Sequence, residues 1–416
     1  MSVMSILGAQ WGDEGKGRIV DLLSENVQCV ARFQGGANAG HTILIKNEET
    51  ILHQLPSGVM RDGVKCVLGN GMAVDPVLLK EEIEMVESKG LSVRERIYIS
   101  FLANVVTPLH KELDINSEKK LGSGKIGTTK KGIGPCYADK IARKGLLFKD
   151  LARLGKVKNI IKEQLDFCIS HKLIDENRLD YLGNEFQLFY TAAKEMYTFA
   201  SDTIVLCNKM IINGETILVE GAQGSLLDID YGTFPFVTSS NTTSGNISIG
   251  LGIGPTKIDE ILGVFKAYQT RVGAGPFPTE LFDKDGEDLQ IIGGEIGATT
   301  KRKRRCGWFD GVLAKYTQLV NGYTSVILTK LDVLDSFDEI KICTSYKNGS
   351  FPKDNLETLE PKYITMPGWK TKISNINKYE GLPVNAQNYI EKLEEIIGVK
   401  ASYISVGKER NQIIKK

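Results

Sequence analysis

No apolar run in this 416-residue chain approaches the ~20 residues that a membrane-spanning helix requires. The amino terminus lacks a charged stretch ahead of an apolar one, and Asp13-Glu14 interrupts any candidate signal core, so neither export nor membrane anchoring is expected. The seven cysteines, Cys29, Cys66, Cys136, Cys168, Cys207, Cys306 and Cys343, form no C-x-x-C pair. That argues against a metal cluster or a disulfide framework and suits a reducing, cytoplasmic location. Cys136 and Cys306 lie beside candidate site loops and read as small packing residues. An excess of charge of one sign is missing too. Lys plus Arg number 52 and Asp plus Glu 51, and the net charge of +1 gives no reason to expect a nucleic-acid or membrane partner. Internal repeats, low-complexity tracts and Pro/Ser-rich linkers are also absent. Length alone allows roughly two to three domains. Without a linker, the chain reads as a single unit over residues 1–416 with insertions.

The pattern that is present predicts short apolar strands at Val3 to Leu7, Val27 to Phe33, Lys65 to Leu68, Arg96 to Ser100, Thr216 to Val219 and Thr324 to Leu328, interleaved with helices. Most end in Gly or polar residues. This is an α/β signature, a large and mostly parallel central sheet flanked by helices. One helix is well marked: Asp75 is a good N-cap, Pro76 takes the first helical position, apolar residues recur through Val86 and Gly90 follows. From about 146 to 200 the chain turns helical, and Phe186, Phe189 and Tyr190 at helical spacing read as core rather than a cofactor box. The region 335–381 is poorly patterned and is assigned no function.

The segment Leu7-Gly8-Ala9-Gln10-Trp11-Gly12-Asp13-Glu14-Gly15-Lys16-Gly17-Arg18 leads from the first strand into a helical pattern from Ile19 to Ser24. It reads as a phosphate cradle. Closely spaced glycines let successive backbone N–H groups turn toward an anion, Lys16 adds positive charge, and the helix start adds its dipole. The segment departs from a Walker A loop, because six residues rather than four separate Gly8 from Gly15-Lys16. Gly17-Arg18 also stands where a P-loop places the Ser or Thr that ligates Mg²⁺. A metal must be held otherwise, and Asp13, a hard oxygen ligand inside the loop, is the substitute. A second cluster, Gly35-Gly36-Ala37-Asn38-Ala39-Gly40-His41-Thr42, follows another strand and carries a histidine, so two strand ends can share one site.

Together these two clusters resemble the adenylosuccinate synthetase family, purine-pathway ligases that join IMP to L-aspartate with GTP. Further matches run over nearly the whole chain in the family's order: Ile126-Gly127-Thr128-Thr129, Gly132-Ile133-Gly134-Pro135, Glu220-Gly221-Ala222-Gln223-Gly224, Ser240-Asn241-Thr242-Thr243, Arg304-Arg305-Cys306-Gly307-Trp308 and Thr329-Lys330-Leu331-Asp332. The resemblance implies a P-loop-NTPase-like fold. It implies a product, adenylosuccinate, formed through 6-phosphoryl-IMP with release of GDP and phosphate, the first committed step from IMP toward AMP. It implies that Asp13 is base and Mg²⁺ ligand, that His41 is the general acid, that the Gly40 carbonyl completes the metal contact with one Mg²⁺ per subunit, and that Gln223 shares in catalysis. For GTP it implies Gly12, Asp13, Glu14, Gly15, Lys16, Gly17, Arg18, Gly40, His41 and Thr42, with Arg304, Lys330, Leu331, Asp332, Ser405, Val406 and Gly407. For IMP it implies Asp13 to Lys16, Asn38, Ala39, Gly40, His41, Thr128, Thr129, Gln223, Thr238 and Arg302, together with Arg143 reaching across a homodimer into the partner's site. For aspartate it implies the loop Ala298, Thr299, Thr300, Lys301, Arg302, Lys303 and Arg304.

The chemistry of the residues agrees with these roles. The amide-like 6-oxygen of a purine is a poor leaving group, and phosphorylating it needs a base for the N1 proton, an acid at the oxygen and a clamp on the phosphoryl group. A carboxylate at Asp332 can accept from both the N1–H and the 2-amino group of guanine, whereas adenine offers only an acceptor at N1, which favours GTP over ATP. Arginine forks in the run 299–305 suit a dicarboxylate substrate. Some residues depart from the family pattern: Lys130-Lys131 stands where the family favours Gly-Arg, Lys301 replaces a glycine, and Lys408 replaces a proline. The alternatives are another GTP-dependent ligase that activates a carbonyl oxygen, a regulatory GTPase, or a nucleic-acid-binding protein using Lys301 to Arg305, which the near-neutral net charge disfavours.

Overall fold

The first strand of the chain, Val3–Gly8, takes the middle of the sheet rather than its edge. The computed structural model describes residues 3–45, 48–124, 126–296 and 302–416. Among the described residues, ten strands form the main sheet. Their spatial order is Ile413–Lys415, Ala401–Ser405, Ser325–Thr329, Glu260–Lys266, Val3–Gly8, Ile217–Glu220, Cys29–Arg32, Lys65–Leu68, Ile97–Ser100 and Ala200–Ser201. Neighbouring strands run parallel except at the Ile413–Lys415 edge, which is antiparallel to Ala401–Ser405.

Both faces of this sheet are covered, which is why apolar residues run consecutively along its central strands instead of alternating with polar ones. Leu7 and Val219 point into a cluster with Phe33 and Phe265, whereas Ile6 and Leu218 point the other way, toward Ile19, Val20, Val264 and Ile327. Each such side chain contributes roughly 1.5–3 kcal/mol when fully buried, so both faces hold the sheet in register.

The expected helix forms as Pro76–Glu87, with the Asp75 side chain accepting from the Val77 and Leu78 amides at 3.0 and 3.3 Å. The helical excursion resolves into Leu154–Ser170 and Leu179–Met196. Its Phe186 and Phe189 pack in one cluster with Leu79 and Ile83, so they are core.

Two expectations need correction. The helix after the first loop starts at Lys16 rather than Ile19, because Gly15 at φ 88° makes the left-handed turn that admits it. The region 335–381 is not patternless: strand Glu339–Tyr346 pairs antiparallel with Pro361–Pro367, and Phe309–Asp310 adds a parallel third strand. Ile340 and Ile342 face inward, but a bulge between Cys343 and Ser345 shifts the alternation and hides the strand from a period-two reading.

Candidate active site

Five neighbouring strands, from Ser325–Thr329 across to Cys29–Arg32, send their carboxyl ends toward one cleft of about 400 Å³. That is where a parallel sheet gathers its ligands. The loop after Val3–Gly8 supplies Gly12, Asp13, Gly15, Lys16 and Gly17 to the lining. Gly12 and Gly15 have φ of 85° and 88°, and Asp13 between them stands at 60°, a conformation that Asp tolerates better than most side chains. Helix Lys16–Leu23 starts here with no side-chain cap, leaving its first amides to serve an anion. A Cβ on Gly17 would lie 3.1 Å from the Cβ of His41 and 3.3 Å from the Thr42 carbonyl, so a glycine is what lets the two loops touch.

Glu14 behaves differently from its neighbours. Its side chain is fully buried under the loop, accepting from the Gln10 and Gly12 amides at 3.0 and 2.9 Å and from Lys16 Nζ at 2.6 Å. It shapes the loop from inside, while Lys16 also lines the cleft.

His41 lines the cleft, and its Nδ1 is hydrogen-bonded to Glu220 Oε1 behind it. Ser57 donates its amide and its hydroxyl to the same carboxylate at 2.7 and 2.6 Å. Burial opposes the charge on Glu220, yet His41, Arg32 and Ser57 together hold its pKa below the ordinary carboxylate value. Burial in turn pushes the His41 pKa down, against the pull of Glu220. Asp13 accepts from Arg304 Nε at 2.7 Å, and Arg304 Nη1 donates to Glu295 at 2.6 Å. Gln223, at φ 59°, lines the cleft with both amide atoms buried and unpartnered among the described residues, as a side chain intended for a ligand would be. Asn38 Nδ2 meets Thr238 Oγ1 at 3.3 Å, and Thr128 and Thr129 line the opening with Arg302, which donates to the Gly127 carbonyl at 3.0 Å.

Sequence reasoning assigned no role to Glu220, Asp114, Glu118 or Glu295. Asp114 and Glu118 stand four apart on helix Pro108–Leu121. Asp114 accepts from Thr128 Oγ1 and the Gly132 amide at 2.9 and 3.0 Å, and Glu118 from the amides of Ile126, Gly127 and Thr128. A carboxylate closing the apolar strand Ile217–Glu220, and a pair of acids at i and i+4, were the available signals. Lys130 adopts φ 57°, so a lysine fills the left-handed position its departure from glycine put in question.

Leu331, Asp332 and Ser405–Gly407 lie beside the cleft rather than on its lining. They follow adjacent strands; Arg18 bonds Ser405 Oγ at 3.0 Å and the Gly407 carbonyl, and its charge lies near Asp332. Lys408 is exposed, with its charge near Asp332. Lys303 is exposed and pairs by backbone with Ile296. Ala298, Thr299, Thr300 and Lys301 lie outside the described residues. Arg143 is exposed beyond helix Ile133–Ile141 and does not line this cleft.

A doubly covered parallel sheet, a glycine-rich anion cradle and an acid–base constellation at the strand ends define a nucleotide-binding α/β enzyme. The sequence profile of the adenylosuccinate synthetase family matches residues 5–414, and the chain belongs to that family. It is 46% identical to the adenylosuccinate synthetase of Thermodesulfovibrio yellowstonii, covering 100% of this chain and 99% of that one, and 45% identical to that of Mycobacterium leprae, covering 100% and 98%. Among solved structures, the fully ligated enzyme from Plasmodium falciparum superposes with a TM-score of 0.94 at 41% identity over 100% of both chains. The activity is therefore GTP-dependent ligation of IMP and aspartate to adenylosuccinate.

Proposed function

We propose that this cleft carries out that ligation in two steps. The γ-phosphoryl group of GTP is placed on the 6-oxygen of IMP, and the amine of aspartate then adds at C6 and displaces phosphate, leaving adenylosuccinate and GDP. Asp13 takes the N1 proton and His41 serves the oxygen through Nε2, the ring nitrogen that Glu220 leaves for the cleft. Gln223 pairs its amide with the purine. Asn38, Ala39, Thr128, Thr129, Thr238 and Arg302 hold IMP, and the loop 298–304 holds aspartate. Gly12 to Arg18, Gly40 to Thr42 and Arg304 hold the GTP phosphates, and Lys330 to Asp332 with Ser405 to Gly407 read the guanine.

The observation that carries the reading is that Asp13 and His41 come from separate loops yet line one cleft, each backed by its own buried partner, Arg304 and Glu220. The donor set suits Mg²⁺. Asp13 offers a carboxylate and Gly40 a carbonyl, hard oxygens that this ion accepts alongside phosphate oxygens and water. No cluster of three or more His, Cys, Asp or Glu able to hold a metal occurs among the described residues; Asp13 and Gly40 would hold the ion together with the nucleotide. When bound, the ion neutralises charge between the phosphates.

The chain acts as one unit over 1–416, with 146–200 as an excursion, and pairs as a cytoplasmic homodimer in which Arg143 serves the partner's IMP site. Support comes from the exposure of Arg143 and from Ile141 two residues before it, an apolar side chain 78% exposed. Seven buried free cysteines are consistent with the location. No helix among the described residues is long and apolar enough to cross a membrane.

The test is phosphate release from GTP with IMP and aspartate added singly and together. Release is expected only with both. Equal release without them would point to a GTPase and sink the ligase reading.

A further inference from the structure

One carboxylate gathers three cations at the wall of the cleft. Glu295 is fully buried at the end of helix Lys284–Gly293. Lys266 Nζ, itself fully buried at the end of its strand, contacts both Glu295 oxygens at 2.9 Å. Arg304 Nη1 donates at 2.6 Å, Lys330 Nζ stands 3.3 Å away, and the Tyr268 hydroxyl donates as well. Arg304 uses its remaining reach to bond Asp13 at 2.7 Å. Lys330 begins the segment assigned to guanine, and Arg304 ends the loop assigned to aspartate. Main-chain contacts close that loop at its base: the Arg304 amide donates to the Glu295 carbonyl at 2.9 Å, and Ile296 bridges Lys303.

Burying a carboxylate with so many charges is a poor way to gain stability, since a well-packed apolar cluster does as well or better. What a fully partnered buried network does supply is a single geometry. Arg304 meets Asp13 through Nε and Glu295 through Nη1, so the two carboxylates fix both edges of one guanidinium.

We propose that Glu295 is a positioning residue that sets Arg304 on Asp13 and holds Lys330 in place, so that the aspartate loop, the guanine-reading segment and the catalytic carboxylate share one ionic hub. The proposal rests on the site roles assigned above. Glu295 touches no substrate; it acts through Arg304 and Lys330.

Glu295→Gln, Arg304→Met and the double variant are compared by steady-state kinetics, with the thermal midpoint recorded for each. Glu295→Gln should lower kcat by at least about tenfold and raise the KM for GTP and aspartate by about fivefold, while the KM for IMP changes by less than about twofold. A merely structural role would lower the midpoint without that split. Because Glu295 acts on kcat through Arg304, adding Glu295→Gln to Arg304→Met should cost less than about threefold more in kcat. If the unpaired cations prevent Glu295→Gln from folding, Lys266→Met combined with Glu295→Gln removes the charge pair and carries the same comparison. Wild-type kinetics, or losses that multiply in the double variant, overturn the proposal. A wild type that turns over GTP without IMP and aspartate instead removes the reading on which it rests.

Discussion

Glu220 stands directly behind His41, accepting at Oε1 from the imidazole Nδ1 while Ser57 fills the rest of the carboxylate. This pins the ring and commits its Nδ1 position, as a carboxylate behind a catalytic histidine does in other enzymes. Glu220→Gln should lower kcat by at least about tenfold with substrate KM values nearly unchanged, and His41→Asn should cost at least ~10²-fold. The two lesions should not multiply, since the first acts through the second. Steady-state kinetics of the singles and the double check this; full multiplication would show that Glu220 has a separate job.

The ionic hub predicts a pH dependence of stability. Burial alone would raise the Glu295 pKa, but Lys266, Lys330 and Arg304 overcome it and hold the group well below its ordinary 4.5. A folded-state pKa below the unfolded one gives stability that is fully present above the unfolded value and is lost as pH falls toward the folded one. Wild-type denaturant midpoints should therefore hold down to about pH 5 and then fall progressively as the pH drops further, and more steeply than those of Lys266→Met/Glu295→Gln. Equal slopes would remove Glu295 from the acid response.

Asp332→Asn should weaken GTP and improve XTP relative to it, because an amide can donate to the xanthine 2-oxo group that a carboxylate repels. Competition between the two nucleotides measures it. An unchanged preference would mean that the base is read elsewhere.

Hybrid dimers test Arg143. Asp13→Ala and Arg143→Leu homodimers should both be nearly inactive. In a hybrid of the two, one site collects both lesions and the other is intact. Random exchange makes about half the dimers hybrids, so activity should return to roughly a quarter of wild type. Activity that stays at the mutant baseline despite demonstrated exchange would place Arg143 outside the partner's site.

What was legible in the sequence was local. The cradle from Gly12 to Gly17 and the Asp75 cap are decided by neighbours within a turn or two, so the residue types announce them. Glu220 carried a signal, a charge at the end of an apolar strand, but its partners His41 and Ser57 lie 179 and 163 positions away. Glu295 meets Lys266 from 29 positions off, and no period or spacing connects them. Lys130 shows the other limit: a left-handed φ of 57° on a lysine is set by its surroundings, since lysine itself does not favour it.

The central position of Val3–Gly8 also bears on how the protein is made. Val3 pairs with Ile217, and Met4 pairs with Glu260. During synthesis this strand must wait for more than half the chain before either neighbour exists, with its apolar faces unprotected meanwhile. Such long-range parallel pairing is slow and exposes aggregation-prone surface. The strand that anchors the catalytic loop is not paired to its end until residue 264 has emerged to meet Gly8. A chain broken off before that point is a client for chaperones and carries no partial enzyme.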